Sequence, residues 1–215
     1  MSAFRAVAFD FNGTLSHDEP ILYAVYRDLF AEHGRPLTEG DYYGTLAGLT
    51  EETIIGMWLG VDGEELGMLV EERIERYLAR NTHGETISPE TRAAVAYAAS
   101  RVPVAVVSGA FRREIEPVLA AAGLGRWIDL LVAADDVERG KPDPEGYLRA
   151  ISSLDGDLHA QEVVALEDTH AGVAAAKAAG VHCIALLGTH PAERLRDADE
   201  LVEVIDVALI RRLVG

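Results

Sequence analysis

Polar side chains that could take part in chemistry lie in four places in the sequence, and most follow a short apolar run. They are Asp10, Ser108, Lys141 and the pair Glu167-Asp168. Carboxylate oxygens are the ligands that Mg²⁺ prefers, whereas an ammonium and a hydroxyl can hold phosphoryl oxygens. Each residue alone is also compatible with a turn or a helix cap. Taken together, they predict a site for Mg²⁺ and a phosphoryl group.

The elements that must position these side chains are predicted by apolar runs that alternate with helical patterns. The runs are continuous, as in buried parallel strands, and cover residues 4–11, 102–107, 129–133, 163–166 and 181–187. The helical patterns between them cover residues 89–100, 112–122, 144–154 and 171–179. This alternation predicts an α/β fold with a doubly wound parallel sheet, a Rossmann-like core. Such sheets bind ligands at the carboxyl ends of their strands, where the polar side chains fall.

One long stretch interrupts the alternation between the first and second strands. It carries helical patterns at residues 21–33, 38–46, 51–59 and 63–80 and no strand-like run. We predict that residues 17–83 form an inserted α-helical cap, on a core made of residues 1–16 and 84–215. Residues 16–19 and 82–86 are the predicted hinges, because both connections must flex together for a cap to open.

Composition narrows the class of protein. The chain has 215 residues with 36 acidic against 19 basic side chains, a formal charge of −17, which argues against a nucleic-acid partner. We find no signal peptide and no apolar stretch near 18 residues, so we expect neither export nor membrane insertion. A single cysteine, Cys183, excludes an internal disulfide and favours a reducing compartment, the cytoplasm. No obligate protein partner is evident.

The order and spacing of four motifs resemble the haloacid dehalogenase-like hydrolase superfamily. The motifs are DFNGTL at residues 10–15, VVSG at 106–109, GKPDP at 140–144 and EDTHAGV at 167–173. Within that superfamily the chain is similar to the phosphoglycolate phosphatase and β-phosphoglucomutase type, which carries a small helical cap. The resemblance extends over essentially the whole chain.

For the phosphate, the resemblance implies a set of roles at the first three motifs. Asp10 would be the nucleophile that accepts the phosphoryl group as an aspartyl phosphate. Ser108 and the backbone N–H of Gly109 would hold a phosphoryl oxygen. Lys141 would offset the charge of the phosphate and of Asp10.

For the metal, the resemblance implies Mg²⁺ held by Asp10, the backbone carbonyl of Asn12 and Asp168. Glu167 would contribute directly or through a water molecule. We expect the carboxylates of Asp10 and Asp168 to lie within about 8 Å of each other, because one small ion must bridge them.

Asn12 departs from the family's pattern, in which an aspartate at this position is the general acid and base. An amide cannot exchange a proton near neutral pH, although its backbone carbonyl can still bind a metal. Three explanations stay open: an enzyme with a good leaving group or another acid, such as His17; a protein that has shifted to binding; and an engineered Asp-to-Asn variant of an active phosphatase.

The sequence thus predicts a Mg²⁺-dependent phosphatase that acts on a small phosphomonoester, a phosphorylated metabolite, through an aspartyl phosphate. The alternative is a catalytically weak protein of the same fold that binds phosphate and metal for regulation. In the cap, Glu51 follows Thr50 where some relatives carry an arginine for a second phosphate. A bisphosphate or sugar-phosphate mutase is therefore disfavoured.

Overall fold

A parallel sheet forms the centre of the computed structural model, which describes residues 3–81, 83–154 and 157–215. In this part of the chain, six strands are arranged in the order β3-β2-β1-β4-β5-β6, and every neighbouring pair is parallel. The strands are β1 (Ala6–Phe9), β2 (Val104–Val107), β3 (Leu130–Val132), β4 (Val163–Glu167), β5 (His182–Leu186) and β6 (Glu200–Val202). The predicted fold class is confirmed.

Helices cover both faces of this sheet and also fill the stretch between β1 and β2. They are α1 (Glu19–Glu32), α2 (Glu39–Asp41), α3 (Glu51–Leu59), α4 (Gly63–Arg80), α5 (Pro89–Ala99), α6 (Arg112–Ala121), α7 (Glu145–Ser153), α8 (His170–Ala178) and α9 (Val207–Val214). A π-helical turn, Tyr42–Leu46, continues α2. The observed bounds of α3 and α4 match the predicted helices.

The core lies on both faces of the sheet, because successive side chains of a strand point to opposite sides. In β1, Val7 and Phe9 belong to a buried apolar cluster with α5, α6 and α9, whereas Ala6 and Ala8 belong to a second cluster with α7 and α8. Small residues in β1 let the second layer of helices approach closely. All four strand residues are fully buried.

The register of the central strands brings the predicted site residues to one edge. Phe9 in β1 pairs with Val106 in β2 and with Leu166 in β4. The residues that follow these positions therefore emerge side by side at the carboxyl edge. This alignment explains why residues far apart in the sequence can meet there.

The helices between β1 and β2 contact the rest of the molecule through apolar and polar groups. Buried residues of α1, α3 and α4 belong to the same apolar cluster as Val7 and Phe9 of the sheet. The two connecting segments are hydrogen bonded: Ser16 Oγ lies 2.7 Å from Thr86 Oγ1, and the His17 N–H donates to the Thr86 carbonyl at 2.8 Å. Of the predicted hinge, Thr82 lies outside the described residues.

Two elements near the carboxyl terminus were not predicted. Strand β6 has three residues, too few for a periodic pattern, and lies at the edge of the sheet next to β5. Helix α9 packs against α5 with a face of apolar residues at helical spacing, and Asp206 caps its start. Within the described residues, no helix combines the length and the apolar character needed to cross a membrane.

Candidate active site

Three buried carboxylates converge at the carboxyl edge of the sheet. Asp10 follows β1, Glu167 ends β4, and Asp168 begins the loop to α8. One oxygen from each lies within 4.8 Å of the others, and their residues are 7%, 0% and 1% exposed. This spacing satisfies the distance expected for one bridging ion, and it concentrates negative charge where water is excluded.

Lys141 supplies positive charge to this group. Its ammonium donates to Asp10 Oδ1 at 2.6 Å and to the Val107 carbonyl at 2.9 Å, and it lies 2.6 Å from Glu167 Oε1. Burial would lower the pKa of this lysine, but the charges of Asp10 and Glu167 outweigh that effect and raise it. Lys141 is therefore a permanent cation in contact with the predicted nucleophile.

Burial also changes the protonation of the carboxylates. It raises the pKa of Glu167 to about 7, with Lys141 opposing the shift and the charge of Asp10 adding to it. Burial, followed by the charges of Asp10 and Glu19, raises the pKa of Asp168 well above its ordinary value. These shifts record first the desolvation of the two acids and then the repulsion among acids that share one pocket.

Two glycines make this crowding possible. Gly13 has a φ of +76°, and a Cβ built on it would overlap Asp168 Oδ2. A Cβ on Gly172, in the first turn of α8, would overlap the carboxylate of Glu167. The glycines of the first and fourth motifs therefore let the carboxylates of Asp168 and Glu167 lie close to the backbone.

The acids present fit a divalent cation. Glu167 Oε2 and Asp168 Oδ2 are buried without a hydrogen-bond partner among the described residues. Unpartnered buried carboxylate oxygens cost free energy that a bound cation would recover. Their second oxygens are held in place: Tyr147 donates to Glu167 Oε1, and Thr14 Oγ1 donates to Asp168 Oδ1 at 3.1 Å. Such outer partners orient carboxylate ligands.

The predicted phosphate-binding residues line the same cavity as Asp10 and Lys141. Ser108 and Gly109 form the loop after β2, and both contribute to the cavity wall. The Ser108 hydroxyl accepts from the Ala110 N–H at 3.1 Å, so it is positioned by its own loop. The structure thus brings all seven predicted site residues to one edge of the sheet.

Asn12 also lines this cavity, and its side chain points away from bulk solvent toward another acid. Asn12 Nδ2 donates to Asp18 Oδ2 at 3.0 Å, and Tyr77 donates to the same oxygen. Asp18 is fully buried, and burial raises its pKa to about 6. The amide at position 12 is thereby tied to the connection that leads into α1.

The wall opposite the sheet comes from the inserted helices and was not predicted in detail. Its polar residues are Glu19, Tyr42, Thr50, Glu51 and Arg73. The space that these residues enclose with Asp10 and Lys141 measures about 80 Å³, and an adjoining cavity of about 310 Å³ shares Thr50, Ser108 and Lys141 with it. The Thr50 side chain packs near Gly140, and Gly48 packs against Thr169, so the cap loop lies directly on the third and fourth motifs.

Other polar residues that follow the first two motifs, except Glu19, do not line the cavity beside Asp10. His17 is exposed and lines a separate surface pocket. Arg112 forms an ion pair with Asp136, and Arg113 forms one with Glu71, so both arginines are used in surface contacts. Glu19, a weaker candidate that follows the first motif in the predicted hinge, lies at the start of α1 and does line the cavity.

Comparisons with known proteins identify relatives over most of the chain. The model of the haloacid dehalogenase-like hydrolase family matches residues 4–180. A validoxylamine A 7'-phosphate phosphatase from Streptomyces hygroscopicus subsp. limoneus is 31% identical over 202 residues, covering 93% of this chain and 93% of that protein. A phosphorylated carbohydrates phosphatase from Thermotoga maritima is 30% identical over 216 residues, covering 96% of this chain and 94% of that protein.

Solved structures show the same architecture. A mutant of CbbY from Rhodobacter sphaeroides, in complex with xylulose-(1,5)bisphosphate, superposes with a TM-score of 0.83 at 27% identity. The match covers 94% of this chain and 95% of that one. The family predicted from the four motifs is confirmed: the chain belongs to the haloacid dehalogenase-like hydrolases.

Proposed function

We propose that this protein is a Mg²⁺-dependent phosphatase that acts on a small phosphomonoester through an aspartyl phosphate on Asp10. The observation that carries the proposal is the contact of Asp10 with Lys141 at 2.6 Å, beside two acids with unpartnered oxygens. The two relatives reported above are both phosphatases by name, and one is named for phosphorylated carbohydrates. A small phosphorylated metabolite is the proposed substrate.

In the first half of the proposed reaction, an Asp10 oxygen attacks phosphorus, and the bond from phosphorus to the leaving alkoxide breaks. Lys141 offsets the charge of Asp10 and of the phosphoryl group, and Ser108 with the Gly109 N–H holds a phosphoryl oxygen. In the second half, water attacks the aspartyl phosphate and releases phosphate. Asn12 can hydrogen bond the reacting group but cannot protonate the alkoxide, so esters with poor leaving groups react slowly.

Mg²⁺ would be held by Asp10, Asp168 and the Asn12 carbonyl, with Glu167 directly or through water. When bound, it supplies charge stabilisation for the transferring phosphoryl group. The fit rests on the crowded carboxylates and on the two oxygens without partners among the described residues.

We further propose that residues 17–83 act as a cap on a core of residues 1–16 and 84–215, with hinges at 16–19 and 82–86. Closure would exclude water from the phosphoryl group. The single cysteine, Cys183, is buried in β5, which supports work in the reducing cytoplasm. A binding protein with weak turnover is the second candidate, favoured by Asn12 alone.

The test is hydrolysis of p-nitrophenyl phosphate with Mg²⁺ and with chelator, in the unaltered protein and two variants. Asp10→Asn should lower kcat by at least about 10⁴-fold, as loss of a nucleophile does. Asp168→Asn should abolish the rise in melting temperature that Mg²⁺ produces. The matched control is Asp62→Asn, because the exposed Asp62 side chain makes no cap hydrogen bond to α4.

The outcomes separate the candidates. Activity that requires Mg²⁺ and Asp10 supports the phosphatase. Stabilisation by Mg²⁺ without hydrolysis of any ester favours the binding protein. Undiminished activity in Asp10→Asn would refute the proposed nucleophile.

A further inference from the structure

The end of the cavity opposite the sheet has a wall formed by the inserted helices, and this wall carries both apolar residues, such as Leu22 and Ile54, and five polar side chains. Glu19 lies at the start of α1, Tyr42 in the π-helical turn, Thr50 and Glu51 at the start of α3, and Arg73 in α4. A substrate whose phosphate lies at Asp10 would present the rest of its structure to this end. The chemistry of these five side chains therefore decides which substrates fit.

The arginine at this end is already neutralised. Arg73 is 2% exposed, its Nη1 donates to Glu114 of α6, and its Nη2 lies 3.3 Å from Glu51. Its guanidinium also lies 5.4 Å from the ring centres of Tyr26 and Tyr77. An anionic ligand that drew Arg73 away would leave two carboxylates buried without a cation, which is strongly unfavourable.

The other charged groups that line the cavity do not provide a free cation for an anionic ligand either. Glu19 accepts a hydrogen bond from Tyr42 at 2.8 Å, and a carboxyl group carries no positive charge in either protonation state. Lys141 is held between Asp10 and Glu167 at the opposite end. Among the described residues that line the cavity, no cation is left over for a second anionic group of the substrate.

Instead of a free cation, this end of the cavity offers a substrate donors and acceptors of hydrogen bonds. The Nε of Arg73 is buried and has no partner within the described part of the chain. Thr50 can donate and accept, and the carboxyl groups of Glu19 and Glu51 can accept. A hydroxyl group can satisfy both kinds of partner, since it is a donor and an acceptor at once.

We propose that this end of the cavity selects phosphomonoesters whose remaining part is hydroxylated and carries no negative charge, and excludes bisphosphates and phosphorylated carboxylic acids. The inference rests on the proposed phosphatase function and names its substrate class. Like charges brought together in a desolvated site lower affinity steeply, whereas neutral hydroxyls incur no such cost.

The test compares ligands that share a carbon skeleton and differ in one group. Glucose 6-phosphate, 6-phosphogluconate, glucose 1,6-bisphosphate and glucosamine 6-phosphate form one set, and glycerol 3-phosphate with 3-phosphoglycerate form a second. Within each set we expect kcat/KM for the neutral member to exceed that for the acidic members by about 10²-fold. The ammonium of glucosamine 6-phosphate should be tolerated at least as well as the hydroxyl it replaces.

A variant shows whether the acidic wall causes this preference. Glu51→Gln removes one of the two carboxylates that neutralise Arg73, so we expect the ratio of neutral to acidic substrates to fall about tenfold. Glu64→Gln removes the same charge from the exposed surface of α4 and should leave the ratio unchanged. Equal or better use of the acidic members by the unaltered protein would overturn the proposal.

Binding of the same ligands to Asp10→Asn, measured by calorimetry, separates this inference from the proposed function. If no ester is hydrolysed but neutral ligands still bind about 10²-fold more tightly than acidic ones, the phosphatase proposal fails and the selectivity stands. If esters are hydrolysed and acidic ligands bind as tightly as neutral ones, the selectivity fails alone. If Glu51→Gln does not fold, the ligand series measured with the unaltered protein and with Asp10→Asn still tests the proposed selectivity.

Discussion

The two ends of the cavity are built in different ways. At the sheet end, side chains come from loops that follow parallel strands, and Gly13 and Gly172 let acids approach the backbone closely. Oxygens of Glu167 and Asp168 lack hydrogen-bond partners among the residues described. These two oxygens are left available for a cation, as the proposed Mg²⁺ site requires.

At the cap end, side chains come from helices and satisfy one another. Arg73 of α4 pairs with Glu51 of α3 and with Glu114 of α6, and Glu19 of α1 accepts from Tyr42. Among the described residues that line this end, the Nε of Arg73 is a buried atom without a partner, whereas the other charged groups have partners. In the proposed enzyme, the loops after the strands carry the groups that react with the phosphate. Contacts between the helices of the cap determine which other parts of a substrate fit into the cavity.

The largest effect should come from restoring an acid at the sheet end. Asn12→Asp should raise turnover of alkyl phosphates by about 10²–10⁴-fold, the usual contribution of a positioned general acid and base. The introduced carboxyl would lie near Asp18, whose pKa burial already raises to about 6, so the pair can retain a proton. Steady-state rates at matched Mg²⁺ provide the measurement.

The leaving group supplies the internal control for this prediction. Nitrophenyl phosphate needs little protonation of its leaving oxygen, so it should gain less than the alkyl ester. Equal rates for both proteins with an alkyl phosphate would mean that another group supplies the proton. Glu19, which lines the cavity, would then be tested before the exposed His17.

The sheet end could be predicted from the sequence because each of its residues is local to a strand end. Short apolar runs predict where parallel strands end, and parallel strands end at one edge, so Asp10, Ser108 and Asp168 had to be neighbours. The resemblance to a known family then supplied their roles. Thr50 and Thr169 cap α3 and α8 with side chains that accept hydrogen bonds from the first turn, so the starts of these helices are also determined locally.

The cap end could not be predicted in the same way. Arg73 and Glu114 are 41 residues apart, and their contact depends on how α4 packs against α6. A buried arginine is unusual, and the helical pattern of α4 alone would leave such a charge in solvent. Strand β6 could not be predicted for a related reason, since its three residues are held by pairing with β5. Helix α9 differs, because Asp206 caps it and its buried apolar residues recur at helical spacing.

A smaller effect, on stability, tests whether the cap end is held by its buried ion pairs. Arg73→Met leaves Glu51 and Glu114 buried without their cation and should lower the free energy of unfolding by about 3–5 kcal/mol. Arg113→Met removes an exposed ion pair with Glu71 between the same two helices and should cost at most about 1 kcal/mol. Urea denaturation measures both, and equal losses would contradict the distinction.

The smallest effect concerns Glu19, which makes the free energy of unfolding depend on pH. Burial raises the pKa of Glu19 from 4.5 to about 7, the charge of Asp18 adds to the shift, and the hydrogen bond from Tyr42 opposes it. Because the folded value is the higher one, folding favours the protonated acid. Its stabilising contribution is complete below about pH 4.5 and is lost as the pH rises through about 7.

This shift in the pKa of Glu19 corresponds to a loss of about 3 kcal/mol in the free energy of unfolding at a pH where Glu19 is ionised in both the folded and the unfolded protein. Glu19→Gln keeps the shape and an acceptor for Tyr42 but cannot ionise. Its free energy of unfolding in chelator should therefore fall less between about pH 4.5 and 7.5 than that of the unaltered protein. Glu64→Gln, on the exposed side of α4, should follow the unaltered protein at every pH. If the Glu19→Gln curve ran parallel to both, the acid would have to be ionised in the folded state, and the cap end would carry more negative charge than its packing implies.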